Sequence, residues 1–410
     1  MSDDLTLEIG PAAHGGHCVA RHEGRVVFVR HTLPGERVRA RLTDARPEAR
    51  HWRADAVQVL EASPDRVPSP WPEAGPGGVG GAELAHVALA AQRRWKADVV
   101  SEQLRRLART AADVTVEEVP GAADGLRWRT RIELVADRSG RAGMHRHRSR
   151  TVIPLTAMPL AVAELDGLRL FERTWPAGVR LTAVAPAGDR PLLLVDGVPW
   201  LDRGPDRRPN ARLSVREAVT VAGRPYTWRV TASGFWQVHR GAPATLAQAV
   251  LDAVGPVPGE RVVDLYSGAG LFALPLADEV GAQGRVVAVE GDPRAAQDAR
   301  RNLHDRPNVD LHRGPVADVL ASGVVVRADV VVLDPPRVGA GRAVLESVVA
   351  LRPRRVVYVA CDPAALARDI GLLGGLGYPM TALRAFDQFP MTHHVECVAT
   401  FEPEDGGGVG

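Results

Sequence analysis

The chain has 410 residues, 51 Lys+Arg against 49 Asp+Glu and a formal net charge of +2. That length suits two or three domains with a large core, and the near-neutral charge excludes a uniformly basic, histone-like binder while leaving room for a local basic face. Three cysteines (Cys18, Cys361, Cys397) cannot build a disulfide framework, and with no signal-peptide plan at MSDDLTLEIG and no long apolar run the expectation is a cytoplasmic protein without a membrane span.

Residues 1–63 are short alternating segments separated by glycines; Leu5–Ile9, Val26–Arg30, Val38–Leu42 and Ala54–Leu60 each suit a strand. Such spacing points to a small β-barrel. The Pro- and Gly-dense stretch SPDRVPSPWPEAGPGGVGG reads as irregular loop. Residues 64–238 then form a central α+β segment, with a helix over about 84–109 and strands beyond it, RWRTRIELVAD and GRAGMHRHRSRTVIPL reading as a hairpin. Between 91 and 150 there are 14 Arg+Lys against 8 Asp+Glu. Solvated surface accounts for single arginines, but Arg129, Arg131, Arg146 and Arg148 interleaved with histidines and Trp128 also suit phosphate contact with base stacking. Lysine is almost absent: 50 of the 51 basic residues are Arg, the exception being Lys96.

From 239 to 403 the apolar runs VVDLY, RVVAVE, ADVVVLD and RRVVYVA alternate with helical segments such as DPRAAQDARRNL. Val-rich strands alternating with helices mean an α/β, Rossmann-like parallel sheet covered on both faces. The tail 404–410, EDGGGVG, is expected to be disordered.

The chemistry-bearing residues fall at the ends of these strands. Asp264 is followed by Tyr266, Gly268 and Gly270, glycines that let backbone approach a ligand; the three-glycine dinucleotide pattern is incomplete because Ala273 holds the third place. Glu290, 26 residues after Asp264, ends the next strand, where a carboxylate accepts from both ribose hydroxyls of an adenosine or simply caps a helix. Asp334 precedes Pro335 and Pro336, a rigid turn that aims it into the cleft; Arg337 stands where amino-group methyltransferases carry an aromatic residue, which argues for a different acceptor atom.

Cys361 closes an apolar strand just before a helix opened by Pro363, so the helix dipole is expected to favour its thiolate, with Asp362 partly opposing. Glu396 begins the last apolar strand and is placed to reach back as a base; Cys397 alternates away into the core. Phe235, Trp236 and Gln237 precede the sheet, as a base-stacking platform or as core. His14, His17, Cys18 and His22 lack paired-ligand spacing and read as barrel surface and turn rather than a metal site.

Together, SGFWQVH, DLYSGAGLFALPLA, VVAVEGDPRAAQDARRN, VLDPPRVGAG, VVYVACDPAALARD and FPMTHHVECVA resemble the S-adenosylmethionine-dependent RNA uracil-5-methyltransferases, and IGPAAHGGHCVARHEGRVVFVRHTLPGERVRARL resembles the TRAM RNA-binding module. The resemblance implies a class I methyltransferase domain with a TRAM/OB-like barrel, S-adenosyl-L-methionine as cofactor and RNA as partner. It makes Cys361 the nucleophile, Glu396 the proton acceptor, and Gln237, Tyr266, Gly268, Gly270, Glu290 and Asp334 the cofactor edge. Phe235 and Arg337 join the basic hairpin as RNA contacts. Two departures stand out. His239 replaces the family's usual Asn, and the four cysteines that hold an iron–sulfur cluster in many members are Glu73, Val79, Ala82 and Met158, so no such cluster can form. Ribosomal RNA is expected ahead of transfer RNA, acted on by a monomer. The rivals are a non-catalytic RNA-assembly factor and a nucleotide-dependent oxidoreductase; retention of Cys361 and Glu396 disfavours the first and the incomplete glycine pattern the second.

Overall fold

A computed structural model describes residues 4–202 and 204–404; the tail expected to be disordered falls, from residue 405 on, outside the described residues. The N-terminal strands form one six-stranded sheet in the order Leu5–Glu8, Arg37–Asp44, His51–Glu61, Arg25–Arg30, His17–His22, Ala12–Ala13. Every second residue of these strands points inward, so Leu7, Cys18, Ala20, Val27, Val29, Val38 and Ala40 make the core. The sequence pattern located four of the six strands and missed two, the short Ala12–Ala13 and His17–His22, whose alternation is broken up by histidines. Cys18 is a correction: its side chain is fully buried, the thiol donating to Thr32 O, so it is barrel core and not surface.

The barrel core continues into the helix Leu89–Gln103 through Ala91, Trp95 and Val99. That helix carries Lys96, the one lysine, with no exposed surface; its Nζ donates to Asp387 Oδ1 at 2.5 Å and to Phe389 O at 3.0 Å. Gln92, one turn earlier, accepts from Met391 N at 2.7 Å. The helix thereby clamps the segment 387–391 from below.

The central segment is built on a seven-stranded antiparallel sheet in which Arg131–Ala136 pairs with Ala142–His145, the expected hairpin. Its core receives Trp71, Val79, Ala82 and Leu160, with Met158 packed against it. Of the four positions where the sequence lacks cluster cysteines, Val79 and Ala82 are core and Met158 packs against it, while Glu73 is half-buried. The loop around them is tight: a Cβ on Gly78 would lie 1.9 Å from Glu73 O, which is why a glycine is required there.

The C-terminal half is an eight-stranded sheet. Numbering its strands β1 (Arg261–Leu265), β2 (Arg285–Glu290), β3 (Val309–Arg313), β4 (Val330–Leu333), β5 (Arg355–Ala360), β6 (Met380–Asp387) and β7 (Glu396–Phe401), the order is β3-β2-β1-β4-β5-β7-β6. The first five are parallel and β7 runs antiparallel between β5 and β6. Apolar layers cover both faces. The packing crosses the expected division at residue 238: Val116–Glu118 joins the sheet beyond β6, and Val221, Trp228 and Val230 of the hairpin Ser214–Thr231 sit in one of these layers.

Candidate active site

Parallel strands β1, β2, β4 and β5 all end at one edge, and the reversed β7 starts there. Ala360 pairs with Cys397 in the antiparallel β5–β7 ladder, so the next pair outward sets Cys361 opposite Glu396. Cross-strand neighbours share a face and have Cβ atoms about 5 Å apart. Thirty-five residues of sequence collapse to one ladder step because β7 is inserted in reverse.

Cys361 is half-buried. Its thiol is pushed up to about 12, first by burial and then by the carboxyls of Glu396 and Asp334, with Arg337 opposing and Asp362 adding to the rise. The expected thiolate is therefore not the resting state: burial first, and the neighbouring carboxyls second, hold the thiol protonated. Asp362 caps the helix Pro363–Gly375, its Oδ1 accepting from Ala364 N at 3.0 Å and Ala365 N at 2.9 Å. Glu396 is buried, and burial together with Asp334 drives its carboxyl well above the ordinary range, against the pull of Arg337. It is held in the neutral form that a buried site imposes on an acid.

The cofactor edge lies alongside. Tyr266 takes φ 62°, Gly268 φ 56° and Gly270 φ 88°, a left-handed run that bends the chain sharply after β1. A Cβ on Gly268 would enter open space, so the glycine leaves the edge clear. Glu290 accepts from Gly268 N (2.7 Å) through Oε2 and from Asp292 N (2.6 Å) through Oε1. Asp334 is raised to about 7 by burial and by Glu290. Asp264, fully buried with neither oxygen hydrogen-bonded to protein, is raised by burial, Asp334 and Glu290 in that order. Three carboxyls thus crowd one edge, each penalising its neighbours' charge. A cationic ligand relieves that crowding, and a sulfonium-bearing nucleoside fits both the charge and the glycine-cleared space.

Gln237 is buried, its Oε1 accepting from Gln388 Nε2 at 2.6 Å. The aromatic pair beside it divides: Trp236 joins the core, while Phe235 is 72% exposed. Arg146 and Arg148 are exposed, and with Arg53, His17 and Phe28 of the barrel they line a cleft of about 660 Å³. Arg337 is exposed, its Nη2 3.1 Å from the His394 ring.

Several expectations need correcting. Arg131 does not face RNA: it is buried against Glu217 at 3.0 Å and donates to Ala232 O and Gly234 O, so it secures the loop that presents Phe235. Arg129 is half-buried, donating to Arg131 O and lying over the Trp128 ring. Trp128 itself is core, stacked at 5.6 Å on His239. The His239 ring is likewise buried, accepts from Gly241 N and is pushed down to about 4 by burial, so it supports Trp128 rather than reaching the cleft. His14, Asp264 and Gln388 were missed as site residues; only Asp264, closing a strand at the same edge as Asp334, carried a usable sequence signal.

Residues 325–402 match the family profile for tRNA (uracil-5-)-methyltransferases, and residues 5–52 match the TRAM domain. An uncharacterized RNA methyltransferase of Streptomyces avermitilis is 44% identical over 99% of this chain and 100% of its own length. The chain belongs to the RNA uracil-5-methyltransferase family. It is accordingly an RNA (uracil-C5-)methyltransferase using S-adenosyl-L-methionine, with an N-terminal TRAM domain and a Rossmann-like class I methyltransferase fold. Another family member, the 23S rRNA (uracil(1939)-C(5))-methyltransferase RlmD of Shewanella denitrificans, is 29% identical over 98% of this chain and 96% of its own. Among solved structures, the Pyrococcus abyssi tRNA (uracil-54, C5)-methyltransferase in complex with S-adenosyl-L-homocysteine superposes with a TM-score of 0.70 at 20% identity, covering 97% of this chain and 100% of that one, so the fold is shared end to end.

Proposed function

We propose that this methyltransferase forms 5-methyluridine in 23S ribosomal RNA through a covalent adduct on Cys361. The observation that carries the chemistry is the β5–β7 register, which sets Cys361 opposite Glu396 beside Asp334. Cys361 gives up its thiol proton to solvent as the site is loaded, its Sγ adds to C6 of the uracil, and electron density moves onto C5 and O4. When bound, S-adenosylmethionine would supply the electrophilic methyl, carried on a sulfonium, that C5 takes. Glu396, ionised once a cation beside it offsets the burial and the Asp334 carboxyl that otherwise hold it neutral, then takes the C5 proton while the Sγ–C6 bond breaks, restoring the aromatic ring and the free cysteine.

Gln237, Tyr266, Gly268, Gly270, Glu290 and Asp334 hold the cofactor in this reading. The high resting position of the Cys361 thiol keeps it protonated until a cation offsets Asp334 and Glu396, so the nucleophile is made only in the loaded site. The target uridine must leave its stack to reach this edge, at a cost of about a few kcal/mol, and exposed Phe235 offers a stacking surface in exchange. Arg146, Arg148 and Arg337 hold flanking phosphates. One chain supplies every group, consistent with a monomer working in the cytoplasm. Among the described residues no helix is long and apolar enough to cross a membrane.

The ribosomal target is supported by the Shewanella relative. Purified enzyme with labelled S-adenosylmethionine should methylate 23S transcripts and leave transfer RNA transcripts unlabelled. Label confined to transfer RNA would overturn the target, and a fully active Cys361→Ala variant would overturn the chemistry.

A further inference from the structure

The turn between Ala12–Ala13 and His17–His22 belongs to the barrel, yet it reaches the reaction centre. His14 Nε2 lies 3.2 Å from Asp362 Oδ2, while the other oxygen of Asp362 caps the helix that follows Cys361. Two residues on, Gly16 at φ 77° is pressed against the loop before Glu396: a Cβ there would come within 3.0 Å of His393 Nδ1 and 3.2 Å of Glu83 Cβ. His393 in turn faces Glu83 Oε2 at 3.4 Å and packs at a tilt, ring centres 4.1 Å apart, against His394, which meets Arg337. A single barrel turn therefore touches the residue after the nucleophile and the loop leading to the base.

We propose that the N-terminal barrel completes the catalytic centre in addition to gripping RNA, with His14 a positioning residue that fixes Asp362 and, through it, Cys361. The inference rests on Cys361 being the nucleophile. The geometry explains why Asp362 can serve two partners: one oxygen is spent on the helix amides, leaving the second free for a donor from outside the catalytic domain. That donor fixes the orientation of the Asp362 carboxylate, and with it the start of the helix next to Cys361. It also couples the barrel's seating to the two loops that must meet on the substrate ring, so a barrel displaced from its seat leaves Cys361 and Glu396 misplaced relative to each other.

The test uses the full-length enzyme and two independent readouts: kcat and KM for methyl transfer to RNA, and the rate at which iodoacetamide alkylates Cys361 without RNA. His14→Ala should lower kcat by about tenfold, with a smaller change in KM, and should change the alkylation rate of Cys361. His14→Asn, too short to reach Asp362 but at home in a turn, should behave likewise if the alanine variant folds poorly. His14→Gln, which restores a donor at similar reach, should recover most of both. Unchanged alkylation with only KM raised would overturn the proposal and leave the barrel as an RNA grip. Loss of the parent reading is visible separately, as undiminished methyl transfer by Cys361→Ala.

Discussion

Cys361 and its neighbours show how burial sets chemistry at the scale of one side chain. Because the thiol is pushed up to about 12, its alkylation in the free enzyme should climb about tenfold per pH unit from pH 7 to 9 without levelling. A plateau near pH 8 would contradict the carboxylate surroundings. Glu396→Gln removes the proton acceptor but leaves the adduct-forming thiol, so RNA should stay attached and migrate as a slow protein–RNA band on a denaturing gel. Asp334 has a signed consequence for stability. Its folded position near 7 lies above the usual carboxylate value, so the folded protein binds the proton more tightly than the unfolded chain. Stability from this group is full below about pH 4 and is lost as pH rises through 7. Asp334→Asn should raise the Tm of the ligand-free protein by several degrees at pH 8 and by almost nothing at pH 4; the opposite trend would sink the assignment.

At the scale of elements, the helix Leu89–Gln103 matters more than its sequence suggests. It packs the barrel on one side and holds the segment 387–391 on the other through Lys96 and Gln92. Lys96→Met would leave the Asp387 carboxylate buried beside no cation, a change that costs about 3–5 kcal/mol. The expected outcome is a large fall in Tm, partly recovered by the double variant Lys96→Met with Asp387→Asn, read by thermal unfolding. The composition gave a hint without a meaning: in a chain whose basic residues are otherwise all arginine, a lysine survives where a fully buried ammonium meets one carboxylate and one carbonyl. The loop 73–82 was legible as the remnant of a metal site, but not as what took its place. Only packing reveals that Val79 and Ala82 have become core, and that Gly78 is fixed by the Glu73 carbonyl.

For the whole molecule, the barrel and the antiparallel central sheet jointly wall a basic cleft. Arg53 is lowered by burial and then by Arg148, a like-charge crowding that a bound phosphate would relieve. RNA affinity should fall steeply with salt, and Arg148→Ala or Arg53→Ala should each reduce the slope of log K against log salt by about one without changing which uridine is methylated. Unchanged slopes in filter binding would place the RNA elsewhere. The cleft is not uniformly basic: Asp44 and Asp55 line it too, Asp55 paired with Arg30, which leaves Arg53, Arg146 and Arg148 in excess.

The sequence by itself determined the small β-rich N-terminal unit, the Val-rich strands of the parallel sheet, and the residues at their carboxyl ends, because hydrophobic periodicity and strand-to-helix turns are local properties; the order of those strands in the sheet came from the structure. The sequence also singled out Cys361 and Glu396, whose motifs the β5–β7 ladder brings next to each other. Tertiary structure decided the rest. Which arginines reach solvent depended on burial: Arg131 and Arg146 stand on one hairpin, yet one is an interior clamp and the other lines the cleft. The protonation of Cys361 depended on burial and on the carboxyls of Glu396 and Asp334 brought to it from other strands, and the contact of His14 with Asp362 on a barrel turn folding back across about 350 residues of chain. Long-range electrostatics and packing have no local signature, so no reading of neighbouring residues could supply them.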